Sequence, residues 1–142
     1  MIHDVQVEAV APHFEALPRL VAEDADLIRR GRFLDCDFEI GVGTLPLLVT
    51  VRSGRVESVA RGPFLLKSSA FAISAEPTTW AQFLQPMPQA GWHDVLALTK
   101  TGKARISGNL LPFMGNLQYI KDVLAAPRRL AARLAARGEK MR

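Results

Sequence analysis

Residues 34–42 alternate between apolar and polar side chains, and this alternation constrains the fold more than any other segment of the chain. The apolar set is Leu34, Cys36, Phe38, Ile40 and Val42, and the intervening set is Asp35, Asp37, Glu39 and Gly41. A period of two places successive side chains on opposite faces of a β-strand. The segment is therefore predicted to be a strand with one face in a core and the other in water.

Further strands are predicted on both sides of a proline- and glycine-marked loop. Residues 45–60 continue the period of two, and Ser53-Gly54 is suited to the tight turn of a β-hairpin. A fourth strand is predicted over 67–75, with Phe71 and Ile73 on one face. A short last strand is predicted over 103–107, because this segment lies between two glycines.

The remaining segments show helical patterns. Helices are predicted over 12–30, from Pro77 to the residue before Pro86, over 92–100 and over 110–125. Gly31 is a suitable C-terminal stop for the first helix, and Asn109 is a suitable N-cap for the last one. Pro86-Met87-Pro88 ends the second helix, because proline cannot continue the helical hydrogen bonds. This order of elements predicts an α+β fold with a mixed sheet.

The positive charge of the chain is concentrated at its C-terminal end. The formal net charge is +4 over 142 residues, but residues 127–142 carry six cations and one carboxylate, or +5, which leaves −1 for the rest. Nucleic-acid-binding domains usually spread Lys and Arg over a folded face, so nucleic acid is not an expected partner. Residues 1–126 are predicted to form one domain, and residues 127–142 a basic helix or tail. This tail is either a solvated, frayed helix or a weak contact with an anionic membrane surface.

Other global features narrow the expected environment. No apolar run approaches the roughly 20 residues that span a bilayer, and the first residues lack the pattern of a secretory signal. We therefore expect a cytoplasmic location. Cys36 is the single cysteine, which excludes an internal disulfide and any multi-cysteine zinc site. Neither a metal nor a cofactor is expected.

Few residues have a spacing that suits catalysis. His93-Asp94 is the most suggestive pair, but adjacent helical residues point in different directions, and a structural or surface role is the alternative. Cys36 lies on the apolar side of its strand, where a thiol is expected to be inert. Asp35, Asp37 and Glu39 form either a cation-binding row or, more simply, the solvated face of that strand. An enzyme is therefore not expected.

The second half of the chain is rich in large apolar residues on short, proline-interrupted helices. The set is Trp80, Phe83, Leu84, Met87, Trp92, Leu96, Phe113, Met114 and Leu117. These side chains either pack one solid core, as most such clusters do, or line a cavity for an apolar ligand. The first alternative predicts an interaction or scaffold protein that assists a partner enzyme, and the second predicts a ligand-binding protein.

Several of these segments resemble sterol carrier protein 2-like domains. The strand that ends at Ile40, the stretch 49–56 and the stretch 71–74 are similar to strands of that family's sheet. Residues 102–109, followed by 110–117, resemble its last strand, turn and closing helix. The resemblance covers roughly residues 20–126. The sequence departs from the family at Asn109, where Asp is usual, and in the proline-rich segment 85–93.

The resemblance implies a five-stranded, mainly antiparallel mixed sheet covered on one face by helices, with an apolar cavity between the layers. That cavity would hold a sterol, a fatty acyl chain or an isoprenoid chain, without catalysis. The residues that would bind the ligand are Phe71, Ile73, Trp80, Phe83, Leu84, Leu96, Phe113, Met114 and Leu117. The family also includes accessory modules of larger enzymes, so either a carrier or an accessory role is expected.

Overall fold

A computed structural model describes residues 2–62, 68–130, 132 and 133, and the side chains from residue 5 onward in the first helix. The helices are α1 Ile2–Glu15, α2 Leu17–Ala22, α3 Ala25–Arg30, α4 Pro77–Phe83, α5 Val95–Lys100, α6 Leu110–Gly115 and α7 Leu117–Ala125. The strands are β1 Cys36–Val42, β2 Leu45–Arg52, β3 Arg55–Arg61, β4 Phe71–Ala75 and β5 Ala104–Gly108. Residues 127–130 continue as a helical turn after α7.

The strands within the described residues form one mixed sheet in the order β3-β2-β1-β4-β5. The pairs β1–β2, β2–β3 and β4–β5 are antiparallel, and the central pair β1–β4 is parallel. The hairpin turn predicted at Ser53-Gly54 is confirmed, with φ of +52° and +78° at the two residues. The predicted fold class is therefore confirmed: the chain is α+β, with a five-stranded, mainly antiparallel mixed sheet.

The alternation predicted for the first strand is present in β1. The burial of its residues alternates strictly, with Cys36, Phe38, Ile40 and Val42 buried and the residues between them half-buried. The register places Phe38 opposite Val49 of β2 and Phe71 of β4. All three of these side chains are buried in the core that the sheet shares with the helices.

Two predicted helices are divided into shorter helices in the structure. The first helix begins at Ile2 rather than at residue 12, and the segment up to Gly31 is divided into three helices. The predicted helix 110–125 is divided at Asn116, whose side chain donates to the carbonyl of Pro112 at 3.0 Å. Asn and Gly both have low helix propensity, and Asn competes for backbone hydrogen bonds, which explains the break after Gly115. The N-cap at Asn109 is confirmed, because its side chain accepts from the amide of Leu111 at 3.1 Å.

The fourth strand and the fifth helix are shorter than predicted. The strand predicted over 67–75 begins at Phe71, and residue 67 lies outside the described residues. The helix predicted over 92–100 begins at Val95, because Asp94 is its N-cap. Both differences occur at element ends, where the side-chain period carries the least information.

A close junction fixes α3, the β2–β3 turn and α7 against one another. The hydroxyl of Tyr119 donates to the carbonyl of Gly54 at 2.6 Å. A Cβ on Gly31 would lie only 2.4 Å from the ring carbon Cε2 of Tyr119. A Cβ on Gly54 would lie 2.5 Å from the carbonyl oxygen of Ile28. Burial raises the pKa of Tyr119 to about 12, so the phenol stays protonated as a donor at neutral pH.

We predict that Gly54→Ala destabilises the fold far more than Gly102→Ala. Both glycines have a positive φ, of +78° and +75°, but a Cβ on Gly102 has nothing within 4 Å. Gly102→Ala should therefore lower the free energy of unfolding only by the backbone penalty, about 1–2 kcal/mol. Gly54→Ala adds a clash with backbone atoms and should cost about 3 kcal/mol or more. Urea unfolding followed by circular dichroism measures both losses, and equal losses would contradict the proposed junction.

Candidate ligand-binding layer

Six aromatic side chains lie between the sheet and the helices, in two groups of three contacting rings. We call this set the aromatic layer: Phe14, Phe38, Phe71, Trp80, Phe83 and Phe113. Phe38 and Phe71 stack with ring centroids 5.0 Å apart and an angle of 8° between their planes. Phe113 of α6 meets Phe71 edge-on at 5.5 Å. These distances lie within the range in which aromatic pairs attract one another.

The second part of the aromatic layer is built around Trp80 of α4. Its ring meets Phe14 of α1 at 5.1 Å and Phe83 at 5.4 Å, both edge-on. Its indole N–H donates to the carbonyl of Gly41 in β1 at 2.8 Å. The polar atom of this buried side chain is therefore paired, and α4 is fixed to the middle of the sheet.

The nine residues predicted to bind a ligand fall into three groups in the structure. The buried ones are Phe71, Ile73, Trp80, Phe83, Leu84 and Phe113. Leu96 and Leu117 are half-buried and pack against the core. Met114 is 55% exposed and lies on α6 with two other exposed apolar residues, Leu110 and Leu111. The structure thus brings six members of the set into the interior and places Met114 at the surface.

A small apolar pocket lies between α1 and α4, at one end of the aromatic layer. Its volume is about 160 Å³, and it is lined by Ala9, Val10, His13, Ala81, Leu84, Gln85 and Pro86. Of these, only Leu84 belongs to the predicted set. The α1 side was missed because the helix was predicted to begin at residue 12. Val7, Val10, Ala11 and Phe14 are all buried and recur at i, i+3, i+4 and i+7, which is the pattern that could have identified this helix.

Two larger grooves are open to solvent and have charged walls. One, of about 510 Å³, includes Glu76, Lys103 and Arg105 beside β5, and the other, of about 540 Å³, includes Asp37 and Arg52. Charged, hydrated walls do not suit an apolar ligand. These grooves are therefore weaker candidates for the predicted chemistry than the aromatic layer.

The proline-rich segment that follows α4 is fixed by cations of the last helical region. The guanidinium of Arg128 donates to the carbonyls of Phe83 at 2.8 Å and His93 at 2.9 Å, and lies 4.5 Å from the centroid of the Phe83 ring. Lys121 of α7 forms an ion pair with Asp94 at 2.8 Å. Burial lowers the pKa of Arg128 from its usual value, and the nearby Asp94 carboxylate opposes that shift. Segment 84–94 is thus held at both ends by residues distant in sequence.

The residues considered for catalysis have structural contacts instead. Asp94 caps α5 by accepting from the amide of Leu96 at 2.9 Å. Burial raises the pKa of this carboxyl, but hydrogen bonds from Lys121 and Leu96 outweigh burial, so the pKa lies below its usual value. His93 is exposed. Cys36 is buried as predicted, and burial raises the pKa of its thiol.

The acidic row on β1 is also engaged in local contacts. Asp35 accepts from the amide of Ser53 at 2.7 Å, and Asp37 forms an ion pair with Arg52 at 2.8 Å. Both contacts hold the β2–β3 hairpin against the start of β1. Among the described residues, no group of His, Cys, Asp and Glu has the arrangement of a metal site.

Part of the basic C-terminal region packs on the body of the protein. Arg129 donates to the carbonyl of Leu20 at 2.6 Å, and Arg133 pairs with Glu23 at 2.9 Å. Leu130 is half-buried against the core. Residues 134–142, with Arg137, Lys140 and Arg142, lie outside the described residues. None of the helices in the described ranges combines the length and the hydropathy of a membrane span.

Comparison with solved structures identifies the fold. A crystal structure of sterol carrier protein 2 matches with a TM-score of 0.66 and 13% identity, over 82% of this chain and 94% of that one. The fold is that of sterol carrier protein 2. The UbiJ-SCP2 ubiquinone synthesis protein matches with a TM-score of 0.55 and 12% identity, over 84% of this chain and 90% of that one.

A larger protein contains a similar unit. The stereoselective inverting sec-alkylsulfatase from Pseudomonas sp. matches with a TM-score of 0.51 and 16% identity, over 74% of this chain but only 16% of that one. No family model matches the sequence, and no curated protein matches it. The structural matches confirm the resemblance to sterol carrier protein 2-like domains that was predicted from the sequence.

We predict that Arg128→Met loosens segment 84–94. The substitution keeps an apolar stem but removes the donors to the carbonyls of Phe83 and His93, each a charge-assisted hydrogen bond of about 1.5–3 kcal/mol. Amide hydrogen exchange in this segment should accelerate at least about tenfold. Arg133→Met is the matched control, because it removes an exposed ion pair with Glu23 outside the segment. If both variants leave exchange in 84–94 unchanged, Arg128 does not hold this segment.

Proposed function

We propose that the chain binds an apolar, lipid-like ligand between its sheet and its helices and catalyses no reaction. The ligand class is a sterol, a fatty acyl chain or an isoprenoid chain. The observation that carries this proposal is the chemistry of the interior. In the described part of the chain no polar or charged residue is buried, and the buried side chains that carry a polar atom include those of Tyr119, Trp80 and Cys36. Such an interior can solvate a hydrocarbon chain but not a charged substrate.

The energetics of an apolar chain favour this function. Burying hydrocarbon contributes roughly 0.8 kcal/mol per CH₂ group. A chain of twelve or more carbons therefore needs only part of that free energy to offset the entropy lost on association. Such a ligand needs no charged contact with the protein. The residues proposed to contact it are Phe71, Ile73, Trp80, Phe83, Leu84, Leu96, Phe113, Met114 and Leu117.

A rival function follows from the close packing of the aromatic layer. Phe71, Trp80, Phe83 and Phe113 are each at most 1% exposed and contact one another or their neighbours edge-on. The apolar pocket beside them has about 160 Å³, whereas small-molecule sites usually exceed about 300 Å³. A solid core of this kind suits an interaction or scaffold protein that assists a partner enzyme. Ligand binding requires α4 or α6 to move away from the sheet.

The contacts of Asp94 and the position of His93, the pair considered for catalysis, favour both of these functions over an enzyme. The carboxylate of Asp94 is already bonded to Lys121 and to the cap of α5. His93 contributes its backbone carbonyl to Arg128, while its side chain is exposed. We therefore propose a carrier or an accessory module. The alkylsulfatase that contains a similar unit in 16% of its chain is an example of this fold within a larger enzyme.

We predict that Leu117→Gln weakens lipid binding about tenfold, because it places an amide against a buried hydrocarbon chain. Leu111→Gln is the matched control, since Leu111 is 79% exposed. Native mass spectrometry of protein purified from cells should detect bound lipid in the wild type and in the control. Titration of delipidated protein with a fatty acid, a sterol and an isoprenoid alcohol then measures affinity by thermal shift. Consistent absence of bound lipid, with no thermal shift, would favour the rival scaffold function.

We further propose that the basic C-terminal region contacts anionic lipid headgroups weakly. Arg128, Arg129 and Arg133 bind groups of the protein, so within the predicted region 127–142 we propose that residues 134–142, with three cations and one carboxylate, make most of this contact. Such an attachment is mainly electrostatic. It should therefore weaken with salt, since the Debye length is about 10 Å at 0.1 M and shorter above that.

The test is co-sedimentation of the full chain and a 1–133 truncation with vesicles that contain or lack anionic lipid. Truncation after residue 133 keeps the contacts of Arg128, Arg129 and Arg133 with the body, so the fold should be unaffected. We expect the full chain alone to bind anionic vesicles, and expect salt to release it. Equal binding by both proteins, or binding that salt does not change, would refute the headgroup contact.

A further inference from the structure

The pocket between α1 and α4 has one polar aromatic ring in an otherwise mainly apolar wall. Ala9 and Val10 of α1 face Ala81, Leu84 and Pro86, and the imidazole of His13 completes the wall together with Gln85. Gln85 has a partner for its amide nitrogen, the carbonyl of Ala81 at 3.4 Å. No lysine, arginine or carboxylate lines the pocket. Any polar recognition in it therefore depends mainly on His13.

The imidazole of His13 has an unmet hydrogen-bonding atom. In the described part of the chain, its Nδ1 is the buried side-chain nitrogen or oxygen that lacks a partner. Leaving a buried polar atom unpaired is unfavourable, and native structures rarely do so without a reason. A half-turn of the ring about χ2 exchanges Nδ1 and Cδ2 with almost no change of shape. This rotation moves Nδ1 from its buried position to the opposite edge of the ring without any movement of α1.

The size and the charge of the pocket limit what can supply that bond. An apolar protein cavity of about 150 Å³ holds one benzene molecule, and this pocket has about 160 Å³. A carboxylate would enter without a counterion, which is costly in an apolar site. A hydroxyl carries no charge and can both donate and accept, so it suits either tautomer of a neutral imidazole.

We propose that this pocket binds a hydroxyl attached to an apolar group of about six to eight carbons, with the hydroxyl hydrogen-bonded to His13. The hydroxyl belongs either to a small alcohol or phenol, or to the end of a longer lipid whose remainder lies outside the pocket. This inference does not depend on lipid binding in the aromatic layer. The pocket shares only Leu84 with the predicted ligand-binding set. A compact alcohol can therefore occupy the pocket while the aromatic layer stays closed.

Phenol and toluene form the first test, because they have the same size and differ in the hydroxyl. Titrations followed by NMR should show both affecting the methyl groups of Leu84, with phenol binding about five- to tenfold more tightly, as one hydrogen bond implies. Phenol alone should shift the ring nitrogen resonances of His13. Equal affinity of the two compounds, or no perturbation at Leu84 by either, would overturn the proposal.

Variants identify the ring responsible. His13→Phe should abolish the preference for phenol while toluene still binds, whereas His93→Phe, which alters an exposed histidine, should preserve it. If His13→Phe does not fold, the ring-nitrogen shifts of the wild type still test the bond directly. Gln85→Leu should also keep the preference, and its loss there would assign the hydroxyl to Gln85 instead and refute the role of His13.

A longer alcohol identifies the source of the hydroxyl. Tighter binding of 1-dodecanol than of phenol, with the same His13 signature, assigns the pocket to the hydroxyl end of a lipid. Tighter binding of phenol assigns it to a small free molecule. Both results uphold the hydroxyl contact with His13. Failure of native mass spectrometry to find a bound lipid would count against the proposed lipid function but would leave the phenol result unaffected.

Discussion

The parallel pairing of β1 with β4 is the interaction on which the rest of the structure depends. It is the only strand pairing between the antiparallel unit β1–β3 and the antiparallel pair β4–β5 in the described chain. Phe38 and Phe71 are directly opposite in this register and stack on the helical side of the sheet. A shift of either strand by one residue would turn its own ring to the other face. The same contact therefore fixes the register and begins the aromatic layer.

The helices extend this layer by pairing their polar atoms with the sheet. Trp80 inserts a large ring beneath β1 and still satisfies its N–H through the carbonyl of Gly41. Tyr119 does the same at the opposite end through Gly54. Because the polar atoms of these two rings are paired, the space between the layers is apolar. An apolar interior of this kind suits a solid core and a hydrocarbon ligand equally well. Direct detection of a bound ligand must therefore decide between the lipid-binding and the scaffold function.

The sequence allowed the sheet to be predicted better than the helices. Alternation with a period of two identified β1, β2 and β3, and Asn109 correctly marked the start of α6. The beginning of α1 was missed although Val10 and Phe14 lie on a helical stripe, because the helix was predicted to begin at Pro12, where proline suits a first turn. In the structure Pro12 lies within α1, near its C-terminal end. Proline at this position removes one hydrogen-bond donor and crowds the carbonyl of Glu8, and burial of the stripe offsets that cost.

The candidate site was harder to predict because its decisive contacts are distant in sequence. A helical pattern can show that Phe83 and Phe113 are buried, but it cannot show that Arg128 covers the Phe83 ring and bonds to its carbonyl. It also gave no sign that Met114 is exposed, since this residue follows the same apolar pattern as its buried neighbours. Nor could it pair His13 with Leu84 across the pocket between α1 and α4, because α1 itself was only partly recognised.

Three of the six cations in the C-terminal region bind groups of the folded body. Arg128 binds backbone carbonyls, Arg129 binds the carbonyl of Leu20, and Arg133 pairs with Glu23. The i, i+4 spacing of Arg129 and Arg133, which by sequence suggests one face of a solvated helix, instead matches the positions of acceptors on α2 and just after it. A guanidinium suits this task, because its planar array of donors can reach two carbonyls at once. Lysine at position 128 could not bridge Phe83 and His93 with the same geometry, so the abundance of arginine here reflects packing as much as charge.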